Sequence, residues 1–381
     1  MSNLTAALLS DRHTRVRRAL GDGRLDALVV THVPNIRYLT GFTGSTAIVV
    51  LTPREVVFIT DGRYVTSVRE AVEPMCPGFR LVVVDPTYDA TLGRILIDGG
   101  WGRIGFESAY VSFGRYQGLA SALSGAEGLE LVPVSRAVEA ERLRKDTSEL
   151  ASFRSAGALL DGVAEGVLAA IRPGLTERQV AADIDFRLKT GGFEGNSFET
   201  IVASGPNSAL PHARPGVRPL APGDLVVLDF GGIYDGYCVD LTRTVCVGNP
   251  APEAQRLYEA VAEAQCAALA AARPGIRVSD VDRAARSVLD RRGYGAAFSH
   301  ATGHGLGLEI HEEPRVGPAR ADVPGVAPVA RDEALEPGIV FTIEPGAYVA
   351  GFGGVRIEDD VAVVDGGVEL LTNVSRKLLV V

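Results

Sequence analysis

The sequence predicts an α+β chain of two domains, the second built from two related halves. Three observations carry this. Residues up to about 135 alternate helix-like and strand-like pieces, the pattern of a mixed α/β domain. Further on, Arg172-Pro-Gly-Leu-Thr-Glu-Arg-Gln-Val180 is matched 101 residues later by Arg273-Pro-Gly-Ile-Arg-Val-Ser-Asp-Val281, in phase through Leu188 and Leu289 to Gly192-Phe193 and Gly293-Tyr294. Arg-Pro-Gly before a helix is common punctuation, but a constant offset held over such a length favours duplication. Third, the strand-like segments of the second domain are separated by hairpin signals and carry acids where a core face is expected.

The first domain, residues 1–135, opens with an amphipathic helix followed by the buried strand Ala27-Leu-Val-Val30 and by Ala47-Ile-Val-Val-Leu51, Val56-Val-Phe-Ile59 and Arg80-Leu-Val-Val-Val84. Residues 136–147 form a charged linking helix around Val138-Glu-Ala-Glu-Arg-Leu-Arg-Lys-Asp146. The second domain, residues 148–381, begins with a long helix from Ser148 to Ile171. Its two halves are expected to enclose a site between them.

A chain of 381 residues with 46% hydrophobic composition is large enough for two domains with sizeable cores. A net charge of −9 with no basic stripe disfavours nucleic acid and anionic membrane surfaces as partners. The basic stretches Arg12-His-Thr-Arg-Val-Arg-Arg18 and Glu141-Arg-Leu-Arg-Lys145 read as solvated helix faces. The four cysteines (Cys76, Cys238, Cys246, Cys266) have neither CxxC spacing nor the density of a disulfide framework. The start, Met1 to Asp11, lacks the features of a signal peptide, and no apolar run approaches the ~20 residues that span a bilayer. A soluble cytoplasmic protein is expected.

Asp229, in Leu225-Val-Val-Leu-Asp-Phe-Gly-Gly232, and Asp240, in Tyr237-Cys-Val-Asp-Leu-Thr-Arg-Thr244, flank the turn signal Tyr234-Asp-Gly236. A turn centred on Tyr234-Asp235 sets the two carboxylates directly opposite; one centred on Asp235-Gly236 makes them diagonal on the same face. Like charges so placed destabilise a ladder and call for a cation. A solvated strand carboxylate is the ordinary reading of either acid alone, so the weight rests on whether further ligand-type residues occur downstream.

Ser299-His-Ala-Thr-Gly-His-Gly-Leu-Gly307 and His311-Glu-Glu-Pro314 put three histidines in a segment whose glycines oppose a helix and imply tight backbone near a ligand. Of six histidines, His212, His300, His304 and His311 lie in such punctuated segments, whereas His13 and His32 read as structural. Near the C-terminus, Phe341-Thr-Ile-Glu-Pro-Gly346 and Gly354-Val-Arg-Ile-Glu-Asp-Asp360 flank the glycine-containing loop Ala350–Gly354, making Glu344 and Glu358 a second cross-strand pair, with Pro345 loosening the register. Asp229, Asp240, His304, Glu344 and Glu358 suit two divalent cations sharing carboxylates. Four carboxylates and one imidazole without a thiolate favour manganese, with cobalt and zinc also compatible. Such a pair can hold a hydroxide and clamp a tetrahedral intermediate, which is hydrolase chemistry.

Together LDFGG, DLTRT, TGHGLG, HEEP, TIEPG and GVRIEDD resemble the pita-bread metallopeptidases, and within them the proline-specific branch of aminopeptidase P and prolidase. Val33-Pro-Asn-Ile-Arg-Tyr-Leu-Thr-Gly-Phe42 is similar to the creatinase/prolidase-like domain which that branch adds in front, so the resemblance covers nearly the whole chain. It implies a creatinase-like α/β domain followed by a pseudo-twofold catalytic domain, with Asp229, Asp240, His304, Glu344 and Glu358 as ligands and Asp240 and Glu358 bridging. His212 and His311 match positions that contact substrate and steady the intermediate, and Arg356 one that orients substrate or the histidines. Glu344 is the candidate for moving the proton from nucleophile to departing amine. His300 is a candidate for the proline pocket or for support behind it, and Thr242 for a hydrogen bond to Asp240. The implied activity is hydrolysis of Xaa-Pro bonds at peptide N-termini, with an aminopeptidase favoured over a dipeptidase restricted to Xaa-Pro; the resemblance also brings a homodimer into view. Relatives such as creatinase and certain chromatin-associated members keep the fold with ligands replaced, which makes a scaffold protein the alternative from another class. The complete ligand set argues against it, since four inward acids without a metal have no physical reason to persist.

Overall fold

A computed structural model describes residues 4–319 and 332–381, arranged in two compact units, Leu4–Arg142 and Leu143–Val381. The stretch read for a targeting segment starts at Met1, and its residues 1–3 lie outside the described ones.

The first unit runs α1 (Ala6–Asp22), β1 (Ala27–Val30), α2 (Val33–Thr40), β2 (Ile48–Leu51), β3 (Val56–Thr60), α3 (Val65–Ser67), β4 (Phe79–Val83), α4 (Tyr88–Asp98), β5 (Arg103–Glu107), α5 (Phe113–Ala122), β6 (Glu130–Val134) and α6 (Glu139–Arg142). Its strands form one sheet in the order β4-β3-β2-β1-β5-β6, parallel except at β1–β2 and β2–β3. β1, β2 and β3 are buried along their whole length, which is why they read as continuous apolar runs. β5 and β6 escape a reading by apolar runs because Gly105 and the charged ends break up one, and Pro133 sits in the other, an edge strand where a missing N–H is tolerated. His13 is buried on α1 with Nε2 2.6 Å from the Leu39 carbonyl, and His32 stacks on Tyr110 at 3.6 Å, so both have packing partners here. The linking segment is helical only over α6.

The second unit continues with α7 (Thr147–Ala170), α8 (Glu177–Thr190), β7 (Gly195–Asn196), β8 (Ile201–Ser204), β9 (Leu225–Tyr234), β10 (Tyr237–Cys246), α9 (Pro252–Ala271) and α10 (Val278–Arg291). It closes with β11 (Gly303–Gly305), β12 (Glu312–Val316), β13 (Val340–Ile343), β14 (Gly346–Val349), β15 (Gly353–Arg356), β16 (Asp359–Val364), β17 (Gly367–Leu370) and β18 (Leu379–Val380). α7 and α8 start with reciprocal caps, Asp146 with Glu149 and Thr176 with Gln179, each satisfying otherwise orphaned first-turn amides.

The duplication is visible in three dimensions. α8 and α10 begin and end 101 residues apart, and each is preceded by the same clasp: Gly174 N donates to Leu220 O (2.9 Å) as Gly275 N does to Leu335 O (2.8 Å). α7 and α8 share a core with β9 and β10 through Phe153, Leu160, Ile184, Leu228 and Leu241, whereas α9 and α10 share another with β13 and β15 through Leu257, Val261, Leu289, Phe341 and Val355. Each half therefore buries its own helix pair against its own strands.

Two registers place the acids. Asp235 (φ 49°) and Gly236 (φ 77°) are both left-handed, as a two-residue type I′ hairpin turn requires. Tyr237 then pairs with Tyr234, Asp229 stands opposite Thr242, and Asp240 stands opposite Gly231, so the two aspartates are diagonal. One register runs through the later ladders, Ile343 opposite Asp359 and Gly346 opposite Arg356, which sets Glu344 against Glu358 in the gap that Pro345 opens between them.

Candidate metal centre and active site

Asp240 is buried on β10, with its amide donating to the Asp360 carboxylate (2.9 Å). Glu358 lies between β15 and β16, its amide donating to the Thr242 carbonyl (3.1 Å) and its Oε2 accepting from the Thr242 hydroxyl (2.6 Å). Thr242 thus supports Glu358 rather than Asp240. The correction follows from packing: the segment carrying Glu358 runs along β10 at residue 242, whereas Asp240 is two residues away on the same strand. Glu344 is anchored by its amide to the Thr302 carbonyl (2.7 Å), and its Oε1 accepts from the Thr342 hydroxyl (3.1 Å).

His304 projects from the short strand β11 with Nε2 3.4 Å from Glu344 Oε1 and 3.9 Å from Asp240 Oδ2. Its Nδ1 is 3.1 Å from the Gly305 carbonyl, which can only accept, so the ring proton belongs on Nδ1 and Nε2 turns a lone pair toward the acids. The glycines around it serve close strand approach. A side-chain carbon at Gly303 would overlap the Thr342 carbonyl and one at Gly305 the Glu313 carbonyl, so what crowds this backbone is neighbouring chain rather than a ligand. Gly303→Ala is accordingly expected to push β11 off β13, costing about 1–3 kcal/mol and displacing His304; an unchanged melting temperature would contradict this.

Arg356 is buried behind the acids and uses most of its fork. It pairs with Asp229 and donates to the Thr242 hydroxyl (3.2 Å), the Tyr348 hydroxyl (2.7 Å) and the Pro211 carbonyl (3.2 Å). That last bond fixes the backbone beside His212, a residue close enough to His300 and His311 to lower their proton affinity. The His311 ring meets that of His304 edge-on at 4.3 Å; although the residue is exposed on one side, desolvation of its packed side, with His304 and His212 nearby, lowers its pKa to about 4, so it is a neutral imidazole at pH 7. His300 is not hydrogen-bonded to the acids, although it lies near enough to Glu344 for each to favour the other's charged form. Its Nε2 lies 3.0 Å from the Tyr348 hydroxyl.

Fit to a metal is shown by what lacks a partner. Asp229 Oδ1, Asp240 Oδ1 and Glu358 Oε1 are buried without a hydrogen bond, although a buried ionised oxygen is costly to leave unpaired. Burial first, then the surrounding acids, raises the proton affinity of Asp240 and Glu358 well above the ordinary carboxylate range, and burial also raises that of Glu344. Donor atoms of Asp240, His304 and Glu358 all lie within 4.8 Å of one another, with His304 Nε2 3.9 Å from Asp240 Oδ2, so small side-chain movements would bring all three onto one ion with ~2.1 Å bonds. An oxygen-rich set with one imidazole and a single arginine suits divalent cations.

Residues 151–365 match the model of metallopeptidase family M24, and residues 12–144 match the creatinase/prolidase N-terminal domain. The chain is a metal-dependent peptidase by fold and site, and it belongs to metallopeptidase family M24, preceded by a creatinase/prolidase N-terminal domain. Its architecture resembles that of a solved Xaa-Pro dipeptidase from Bacillus anthracis, with a TM-score of 0.90 and 34% identity over 98% of this chain and all of the other. An X-Pro aminopeptidase from Thermotoga maritima gives 0.84 and 32%, covering 96% of this chain and 100% of that one. The Xaa-Pro dipeptidase of Pyrococcus horikoshii is 31% identical over 98% of this chain and 99% of its own. The creatinase-like domain and the pseudo-twofold α+β catalytic domain expected from sequence are therefore present.

Tyr348 and Asp360 belong to the site and escaped the sequence reading. Tyr348 bridges Arg356 and His300, and burial pushes its hydroxyl up to about 12. Its signal was only a tyrosine on the same face as Gly346 across from Arg356, which acquires meaning once the β14–β15 register is known. Asp360 follows Glu358 in a run of acids that gives no hint which of them faces Asp240.

Proposed function

We propose that the chain hydrolyses Xaa-Pro peptide bonds with two divalent cations held by Asp229, Asp240, His304, Glu344 and Glu358, manganese being the expected metal. The observation that carries this is the set of unpartnered buried oxygens on Asp229, Asp240 and Glu358, facing a histidine lone pair and backed by Arg356. Cations so bound would polarise the scissile carbonyl and lower the pKa of water. Glu344, whose raised proton affinity suits it to take and return a proton, would receive one from the attacking water and deliver it to the departing amine. That delivery matters before proline because the leaving group is a secondary amine. His311, a neutral imidazole, and His212 close by would donate to the developing oxyanion. Arg356 holds Asp229 in place and anchors Pro211, so the carboxylate and the His212 backbone are set by one guanidinium.

Xaa-Pro dipeptides are the favoured substrate, because the full-length relatives from Bacillus anthracis and Pyrococcus horikoshii are Xaa-Pro dipeptidases. Longer Xaa-Pro-led peptides, favoured by the sequence alone, remain the second reading on the strength of the Thermotoga maritima aminopeptidase. The deciding experiment compares an Xaa-Pro dipeptide with a longer Xaa-Pro-led peptide, each with manganese and with chelator. Manganese-dependent cleavage of the dipeptide alone establishes the dipeptidase; cleavage of both establishes the aminopeptidase. Cleavage of neither removes proline specificity. His311→Ala is expected to lower turnover by about 10²-fold while leaving metal content near wild type; loss of metal instead would make His311 a ligand. Among the described residues no helix is long and apolar enough to cross a membrane.

A further inference from the structure

We propose that Asp282 and Arg286, on α10, are positioning residues that set the His300 imidazole against Tyr348. Asp282 is almost fully buried and Arg286, one turn on, grips it through two bonds of 3.0 Å. Neither spends its remaining capacity on its own helix. Arg286 donates to the carbonyls of Phe298 (3.1 Å) and His300 (2.9 Å) and lies over the Phe298 ring at 4.2 Å. Asp282 Oδ1 accepts from the amide (3.1 Å) and hydroxyl (2.9 Å) of Thr302. The backbone is thereby held on both sides of His300.

The ring continues the chain of bonds. His300 Nδ1 is 2.7 Å from the Ala301 carbonyl, an acceptor only, so Nδ1 carries the proton and Nε2 accepts from the Tyr348 hydroxyl. The Tyr348 oxygen in turn accepts from Arg356, which holds Asp229. A buried carboxylate is expensive to desolvate and is tolerated where its acceptors are all used, in this case with a half-buried arginine beside it. Here they are used on one short histidine-bearing segment. The other half repeats the device: Glu177, buried on α8, accepts from the amide and hydroxyl of Ser204, from the Asn207 side chain and from the Gly216 amide, which brackets the segment carrying His212. Helix-borne carboxylates thus grip a hydroxyl residue and a histidine segment in each half.

The kinetic arm of the test rests on the Xaa-Pro peptidase reading, and a spectroscopic arm is independent of it. Asp282→Asn and His300→Gln are each expected to lower kcat/KM for an Xaa-Pro dipeptide by about 10–100-fold with metal content unchanged. The double variant should be no more than about threefold worse than the poorer single one, because one residue acts through the other. In ¹H–¹⁵N spectra of the full chain, the His300 ring signals, identified by their loss in His300→Gln, should shift in Asp282→Asn. Effects that multiply, or His300 signals unmoved in a folded Asp282→Asn, would overturn the proposal. Should Asp282→Asn not fold, Arg286→Lys keeps the charge pair but cannot reach both carbonyls, and the same two readouts decide. If the wild-type chain cleaves no Xaa-Pro peptide, the peptidase reading falls and the ring signals alone judge the positioning.

Discussion

Asp240→Ala should reduce peptide hydrolysis to the assay background while leaving a folded chain. Asp240 is buried, and Glu358, Asp229, Asp360 and Glu344 add to the cost of its charge. With metal absent its carboxylate is a liability, so removing it should leave the melting temperature of the metal-free protein unchanged or higher. With metal present the sign reverses. A ligand that binds only the folded state adds about 2.7 kcal/mol at a hundredfold excess over Kd, roughly 5–10 °C for a unit of this size. Wild type should show that rise on adding manganese, and Asp240→Ala should lose nearly all of it. Thermal melts with and without metal, run beside the hydrolysis assay, separate this outcome from simple unfolding. Undiminished turnover in the variant would remove Asp240 from the centre.

How far this candidate centre could be read from the chain, and where reading stopped, has a common cause. Asp229 and Asp240 announce themselves because an acid inside an apolar strand violates the ordinary pattern, Glu344 and Glu358 because each adjoins such a strand, and His304 because glycines oppose a helix around it. The duplication was legible because helix punctuation recurs at a fixed offset, and α8 and α10 obey it to the residue. What could not be read depends on partners distant in sequence. The choice between the two hairpin registers turned on whether Asp235 and Gly236 both adopt positive φ, which the composition permits but does not impose. Thr242 meets Glu358, 116 residues away, rather than its near neighbour Asp240. Tyr348 gains its role only from Arg356 and His300, and Asp282 resembles any polar residue on a helix until Thr302 is seen against it. Local rules reveal groups that break them; they are silent about groups that satisfy them while serving a remote neighbour.

Stripping the metal should make the folded protein progressively less stable as pH rises above about 7.5. Asp240, Glu358, Asp360 and Glu344 all have proton affinities raised by burial first, with neighbouring acids adding to it. An acid whose folded pKa exceeds its unfolded value contributes stability that is fully present below the unfolded pKa and is lost as pH climbs through the folded one. His13, His300, His304 and His311 act oppositely, because burial lowers their pKa and their contribution is lost as pH falls. Those two trends oppose each other up to about a unit above the ordinary histidine value of about 6.5, so the clean window lies above about 7.5, where the imidazoles are almost wholly neutral in both states. Divalent metal competes with protons for the same carboxylate oxygens and neutralises the cluster, so its affinity should rise across that window and its stabilising effect should grow with pH. Melting temperatures in chelator between about pH 7.5 and 9 should therefore fall, and the gap to manganese-loaded samples should widen. A metal-free melting temperature that climbs over this range would mean that the acids are already compensated without a cation, and the assignment of this acid cluster to a metal centre would fail with it.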